Sequence, residues 1–487
     1  MHKQIKKCLL MMPPATTSKD NIDINPLPPI GLGYIASVIE KLGVEVKIID
    51  CLMEGWNQRE EIGDGLIRIG LSENQIRDII SDYQPDLVCV NNQFSKQYEN
   101  AHLIYRLVKE VDSNIITQAG GGHPSVMPKE TLQDQNLDFV VLGEGEIVVE
   151  CFLRCLLNKD DDYSKIDGLG YKIDGQIIIN PKTTYIEDLD SLQFPALHLM
   201  NLEHYFGLDM SHGKRHSKRF YPIITSRGCP AKCTFCTAYR VWGRKYRHRS
   251  PENVIEEMKY VKEKYNIEEL LIEDDNFTAN PKRAEKICDL MIENKFNFKW
   301  DTPNGIAAFA LNEKLIRKMK NAGCYKINIA VESGNQNTLN NIIKKPLKLE
   351  KVEEIVNICR KVDIDFGIFL ILGMPGDNLE AMWDNYKFAR KIKVFDPFIS
   401  VATPYPGSEI FDICESKGYF SEEFKLENLF IRSFPIRTEQ WTPEDIQKLM
   451  KKGYIYLKFY QFLDNPFNFT RLFAGFVLEK AKRTLNL

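Results

Sequence analysis

The sequence predicts an α/β protein with two strand–helix units in series and a helical C-terminal region, and three observations carry that prediction. Short β-rich apolar runs alternate with helix-period segments over roughly the first 190 residues, and the same alternation resumes from Tyr221 to about Cys414. A connecting stretch of mixed charge and proline content separates the two. The chain has 487 residues with 44% hydrophobic content, enough for two or three domains with separate cores. The divisions read from this pattern are 1–158, a connector with a hairpin over 159–220, 221–415, and a helical tail over 416–487.

In the first unit the strand candidates are KKCLLMM (6–12), VEVKIID (44–50), DLVCVNN (86–92), NIITQAG (114–120) and DFVVLG (138–143). Amphipathic segments such as LGYIASVIEKLG (32–43) and NAHLIYRLVKEV (100–111) stand between them, with apolar residues recurring at three- and four-residue intervals. Parallel neighbours need crossover helices, so this order argues for a doubly wound parallel sheet of Rossmann-like form. Ligands in such sheets sit outside the carboxyl ends of the strands. The loops there are distinctive: a Pro-rich segment ending in Gly31, NNQFSKQ with Gln93, GGGHPS with Gly121 and His123, and GEGE with Glu144 and Gly145.

In the connector, Asp174-Gly175 reads as a hairpin turn, and Phe194-Pro195-Ala196 as a surface crossing. The second unit offers six strand candidates: YPIIT (221–225), ELLIED (269–274), FKWDT (298–302), YKINIAV (325–331), DFGIFLILG (365–373) and FISVATP (398–404). Six βα units make a partial (β/α)6 barrel, with chemistry expected at the strands' C-terminal ends. Ser250-Pro251 after the first of them reads as an N-cap followed by proline at the first helical position.

Directly after that first strand stand Cys229, Cys233 and Cys236, spaced C-x3-C-x2-C. Three closely spaced thiolates would hold three irons of a cubane cluster and leave the fourth open to a small molecule. A zinc site, or cysteines that only pack, is the alternative. Structural zinc usually takes four protein ligands, often as C-x2-C pairs, and no fourth cysteine or histidine lies close by. His248 falls in the basic run GRKYRHRS and reads as solvated.

The spacing, with Phe235 just before the third cysteine, resembles the radical S-adenosylmethionine (SAM) superfamily. That resemblance implies a [4Fe-4S] cluster on the three cysteines and SAM on the open iron, cleaved to a 5′-deoxyadenosyl radical. Further elements are similar to the family's SAM contacts: Glu273-Asp274-Asp275-Asn276-Phe277, which resembles the family's DDNF element near the methionine amino group, Glu332-Ser333-Gly334, and Gly373 and Pro375 flanking adenine. Carboxylates suit an ammonium, and glycines allow a flat ring to approach. Taken singly, Asp275-Asn276 could be a helix cap and Gly376 only a turn.

The strand-end loops of the first unit resemble the cobalamin-binding domain that precedes the radical domain in one large branch of that superfamily. Gly31, Gln93, Gly121, His123, Glu144 and Gly145 are the implied cobalamin contacts, on loops whose small residues suit a broad, flat corrin. The D-x-H-x-x-G motif that supplies a cobalt ligand in many cobalamin enzymes is absent, so His123 is not expected to ligate cobalt. A scaffold that has lost its cofactor is the alternative. The resemblance implies methyl transfer to an unactivated carbon, with ring formation as in the anaerobic magnesium-protoporphyrin monomethyl ester cyclase as second reading. A non-catalytic cobalamin or redox sensor comes third. A small-molecule substrate and a flavodoxin- or ferredoxin-type electron donor are the implied partners; no catalytic side chain follows from the motifs.

A net charge of −3 gives no global field for nucleic acid, and none is expected as a partner. Runs such as FGIFLILGM are about half the ~20 residues that a membrane span needs, and the N-terminus reads as a buried strand instead of a signal. Twelve cysteines, mostly on apolar segments, suit reduced thiols in the cytoplasm. The tail is aromatic and amphipathic; its Tyr and Phe stripe is expected to pack over the open side of the barrel. Lys480, Lys482 and Arg483 near Phe473 and Phe476 permit peripheral membrane contact.

Overall fold

A computed structural model describes residues 5–466 apart from 21, 23, 161, 209–214, 423 and 430–432. The basic-aromatic segment with Phe473, Phe476, Lys480, Lys482 and Arg483 lies outside the described residues.

Ten strands build the first unit: β1 (Lys7–Met12), β2 (Ala15–Ser18), β3 (Glu45–Asp50), β4 (Arg59–Gly63), β5 (Leu66–Ile69), β6 (Leu87–Asn91), β7 (Ile116–Gly120), β8 (Phe139–Val141), β9 (Leu169–Ile173) and β10 (Gln176–Ile179). Seven form one sheet in the order β10-β9-β8-β7-β6-β1-β3. The five expected strands are its parallel part. Their near-continuous Val, Ile and Leu content fits a sheet covered on both faces, and separate apolar clusters lie on its two sides.

The hairpin predicted in the connector is β9–β10, turning through Asp174 and Gly175 at positive φ. It pairs antiparallel onto β8 and buries Leu169 and Tyr171 in the sheet's core. The sheet therefore runs past residue 158, to Ile179, because the open edge of β8 is closed by the hairpin. A second, three-stranded sheet has the order β2-β5-β4; its strand β2 lies in the segment that the sequence suggested was a loop.

The second unit contains β11 (Phe220–Ile223), β12 (Ser226–Arg227), β13 (Arg247–His248), β14 (Glu269–Ile272), β15 (Lys299–Asp301), β16 (Lys326–Glu332), β17 (Asp365–Leu372) and β18 (Phe398–Val401). Two parallel three-stranded sheets, β11-β14-β15 and β16-β17-β18, are joined by single bridges at Trp300–Cys324 and Ile306–Ile329. That is a six-stranded partial barrel. Its helix-facing core holds Trp300, Phe277, Ile272 and Val331. The helix Pro443–Asp464 packs on the helix Leu379–Lys391. No helix among the described residues is long and apolar enough to cross a membrane.

Candidate active site

The three cysteines lie on the loop between β12 and β13, which pair antiparallel and clasp its two ends. Gly228 opens the loop at φ +82°, where a Cβ would strike the backbone carbonyl of Lys245. Only glycine fits there. All three thiols are free and partly buried. Burial pushes Cys233 up to about 12 and Cys236 to about 11, and the neighbouring thiols push in the same direction, so the three are grouped. A single zinc ion would need side chains to converge on one point, and none do so among the described residues. Thiolates bound to three different irons need no such convergence, and the donor set fits the cluster.

The two aspartates after β14 do different things. Asp274 is 3% exposed and accepts four hydrogen bonds, from the backbone amides and hydroxyls of Thr225 and Ser226 at 2.6–3.1 Å. Its carboxylate is spent on fixing the approach to the cysteine loop. Asp275 accepts one hydrogen bond from the Gly228 amide at 3.2 Å. Burial, then the charge of Asp274, raises it to about 6. It is the aspartate with acceptor capacity left for a cation.

At the end of β16, Glu332 adopts φ +73° beside a bulge and pairs with Lys345 Nζ at 2.9 Å, both nearly enclosed. The Lys345 ammonium also acts on Cys229 and Cys233. Nothing in the sequence distinguishes this lysine from the neighbouring Lys344, which pairs with Glu409 outside. Ser333 Oγ is 3.3 Å from Asn385 Oδ1 and accepts the Asn335 amide, so that turn is locked onto the helix Leu379–Lys391. Gly373 sits at φ +78° below the indole of Trp441, whose Nε1 donates to the Asp377 carbonyl. Pro375 follows on the same turn, and Phe235 packs against the barrel core.

Gly31, Gln93, Gly121, Glu144 and Gly145 line one cavity of about 130 Å³ at the carboxyl ends of the first unit's strands. Its remaining wall comes from the barrel, with Ile224, Arg227, Val241 and Trp242. A Cβ at Gly31 or Gly120 would meet nothing within 4 Å, and Gln118 presents a buried Oε1 with no partner. Open space beside backbone and an orphaned acceptor fit the edge of a broad polar-rimmed cofactor. The volume is below the ~300–1,000 Å³ of sites that enclose a whole ligand, so only part of a corrin would be enclosed.

Two of the implied contacts behave otherwise than a free loop suggests. His123 is 3% exposed, is not among the residues lining this cavity, and bonds Ser95 Oγ through Nδ1 at 3.0 Å. Burial lowers it to about 4, which leaves it neutral. The Glu144 carboxylate is taken by Arg227 at 3.0 Å, by Arg247 at 2.7 and 2.8 Å and by the Ile186 amide at 2.9 Å, while Arg227 also holds Glu146 at 2.6 Å. This ionic joint is fully enclosed and ties GEGE to the residues just before Cys229. Within the basic run, His248 is exposed as expected, while Arg247 and Arg249 on either side of it are buried.

Comparison with known proteins agrees with this layout. A B12-binding domain model matches residues 25–153 and a radical SAM superfamily model residues 223–389. Cytidylyl-2-hydroxyethylphosphonate methyltransferase of Streptomyces wedmorensis is 32% identical over 92% of this chain and 89% of its own length. The anaerobic magnesium-protoporphyrin IX monomethyl ester cyclase of Rubrivivax gelatinosus is 25% identical over 79% of this chain and 66% of its own. Among solved structures, the radical SAM methyltransferase TsrM of Kitasatospora setae, with cobalamin and a [4Fe-4S] cluster bound, shares the fold. Its TM-score is 0.66 at 16% identity, over 85% of this chain and 76% of that one.

Proposed function

The chain belongs to the cobalamin-dependent radical SAM superfamily, and from that premise we propose that it transfers a methyl group to an unactivated carbon of a small-molecule substrate. One observation carries the proposal. The cavity lined by Gly31, Gly121 and Gly145 is closed on its far side by Arg227 and Trp242, which flank the cysteine loop in the chain. Two cofactors held by these groups would share one substrate space. Bound there, the cluster with SAM supplies a carbon-centred radical and cobalamin a transferable methyl group.

The chain's own residues position and enclose. Cys229, Cys233 and Cys236 would hold the cluster. Asp275 would accept from the SAM ammonium, Glu332 and Ser333 would contact its polar arms, and Gly373, Pro375 and Phe235 would frame its ring. Asp274 orients the cysteine loop without touching a cofactor, since its acceptor positions are filled. The Arg227–Glu144–Arg247 joint keeps water from the seam between the units, as radical chemistry requires. An electron donor of the flavodoxin or ferredoxin type and a cytoplasmic setting complete the reading.

The test is anaerobic turnover with dithionite, hydroxocobalamin and SAM labelled in its methyl group, against metabolites extracted from a strain lacking the gene. The expected outcome is 5′-deoxyadenosine together with a metabolite that gains the labelled methyl. Product without label would move the reading to ring formation. An absence of 5′-deoxyadenosine would leave only a non-catalytic sensor.

A further inference from the structure

We propose that the barrel's inner face carries a recognition site, built by Glu273 and Asp301 beside Arg215, that takes a hydrogen-bond-donating group of the substrate, a hydroxyl or an ammonium. The inference rests on the functional reading above, to which it adds a substrate chemistry.

Strand parity places the groups. In β14, Leu270 and Ile272 pack with Val254 and Ile287 on the helix side. Successive strand side chains alternate faces, so Glu269, Leu271 and Glu273 point the other way, into the barrel. Leu271 packs there with Phe220 and Tyr205. In β15, Trp300 belongs to the helix side, and Asp301, the register partner of Leu271, faces inward beside it.

These inward groups divide into satisfied and unsatisfied. Glu269 accepts from Tyr325 Oη at 2.8 Å and from the amides of His216 and Ser217 at 2.8 and 2.6 Å. It needs nothing further. Asp301 is 4% exposed, and its Oδ1 has no partner. Glu273 takes the Asn304 amide on Oε2 at 2.9 Å, while its Oε1 is buried without a partner. All three nitrogens of the Arg215 guanidinium are likewise buried and unpartnered, with the group stacked on Phe220.

Leaving a buried polar group unmet is destabilising, and more so when it is charged. Several of them facing one another across a barrel interior are the mark of a site that a ligand completes. In orphaned atoms the two sides are comparable, two carboxyl oxygens against three guanidinium nitrogens, but in charge two ionised carboxylates outweigh one guanidinium, so the ligand group that completes the balance is a donor. Burial pushes both Glu273 and Asp301 up to about 7, in keeping with acceptors that lack their donor. Position ties the pair to the chemistry. Glu273 directly precedes Asp274 and Asp275, which bond the residues leading to Cys229.

The test is ligand-observed NMR on the full chain, with ethanolamine, ethylene glycol and acetate as probes, without SAM or reductant. Ethanolamine is expected to bind the wild type at least tenfold more tightly than Asp301→Asn or Glu273→Gln, with unfolding midpoints of the variants unchanged. Binding of ethylene glycol as well identifies a hydroxyl-reading site, and ethanolamine alone an ammonium-reading one. No binding of either to the wild type, equal binding to the variants, or preference for acetate would overturn the proposal. A second measurement needs no variant. The groups facing the pair are Glu269, Tyr325, Lys326, Asp274 and Arg215, and the wild type's affinity for ethanolamine should rise several-fold from pH 6 to pH 8 as the carboxyls ionise. A flat profile overturns the idea too. Because no turnover is involved, failure of methyl transfer and failure of this site are read separately.

Discussion

Glu144 and Glu187 both pair with cations, yet only one of the two pairs matters for stability. The side chains of Glu144, Arg227 and Arg247 are 1–3% exposed, whereas Glu187 and Lys245 are 65% and 69% exposed. Removing one partner from a buried network strands a charge at a cost of about 3–5 kcal/mol. An exposed pair is worth about 0–1 kcal/mol. Glu144→Leu should therefore lower the unfolding free energy by several kcal/mol in urea titration, while Glu187→Leu changes it by less than about 1 kcal/mol. Equal effects would show that the joint is not the dry network described. The sequence exposed the GEGE loop but not the direction of its carboxylates. Seen alone, glutamates at strand ends suggest ligand contacts, and nothing in the basic run Arg247-His248-Arg249 tells from sequence that its two arginines are the buried pair, with Arg247 turned onto Glu144.

The helix Pro443–Asp464 owes its seat to an absence. Gly453 is buried against the helix Leu379–Lys391, and a Cβ there would stand inside the ring of Tyr386, itself 1% exposed. Trp383 and Tyr456 flank the contact edge to face, with centroids 5.1 Å apart. Gly453→Ala gains about 0.5–1 kcal/mol of helix propensity. Overpacking a filled core costs about 1–3 kcal/mol, so the clash should win. The expected result is a lower thermal midpoint; a rise would mean that the two helices part easily. Element existence was legible where periodicity was strong, as in the parallel strands and the tail helix. Two pieces were not legible for physical reasons. Thr16, Thr17 and Ser18 in β2 are polar residues that form a strand only because β5 supplies the other half of the ladder. The β9–β10 hairpin was visible from Asp174-Gly175, but a turn signal is local and says nothing about which sheet edge the hairpin will close.

Because one cavity and one ionic joint are each built from both units, the molecule should respond to cobalamin as a single body. A ligand that binds only the folded state stabilises it by RT ln(1 + [L]/Kd), about 2.7 kcal/mol at a hundredfold excess over Kd. If the cavity belonged to the first unit alone, hydroxocobalamin would raise that unit's transition and leave the barrel's unmoved. The wall formed by Ile224, Arg227, Val241 and Trp242, together with the Glu144 network, predicts one unfolding transition by far-UV circular dichroism and by tryptophan fluorescence, shifted as a whole. Gly31→Leu supplies the control. A Cβ at that position meets nothing within 4 Å, so the added side chain can enter the open space that a corrin edge would use. The variant's apo midpoint should match the wild type, while its cobalamin-dependent shift should fall by more than half. Two separated transitions, only the earlier one moving with cobalamin, would instead make the units independent and the joint a contact of little energetic weight.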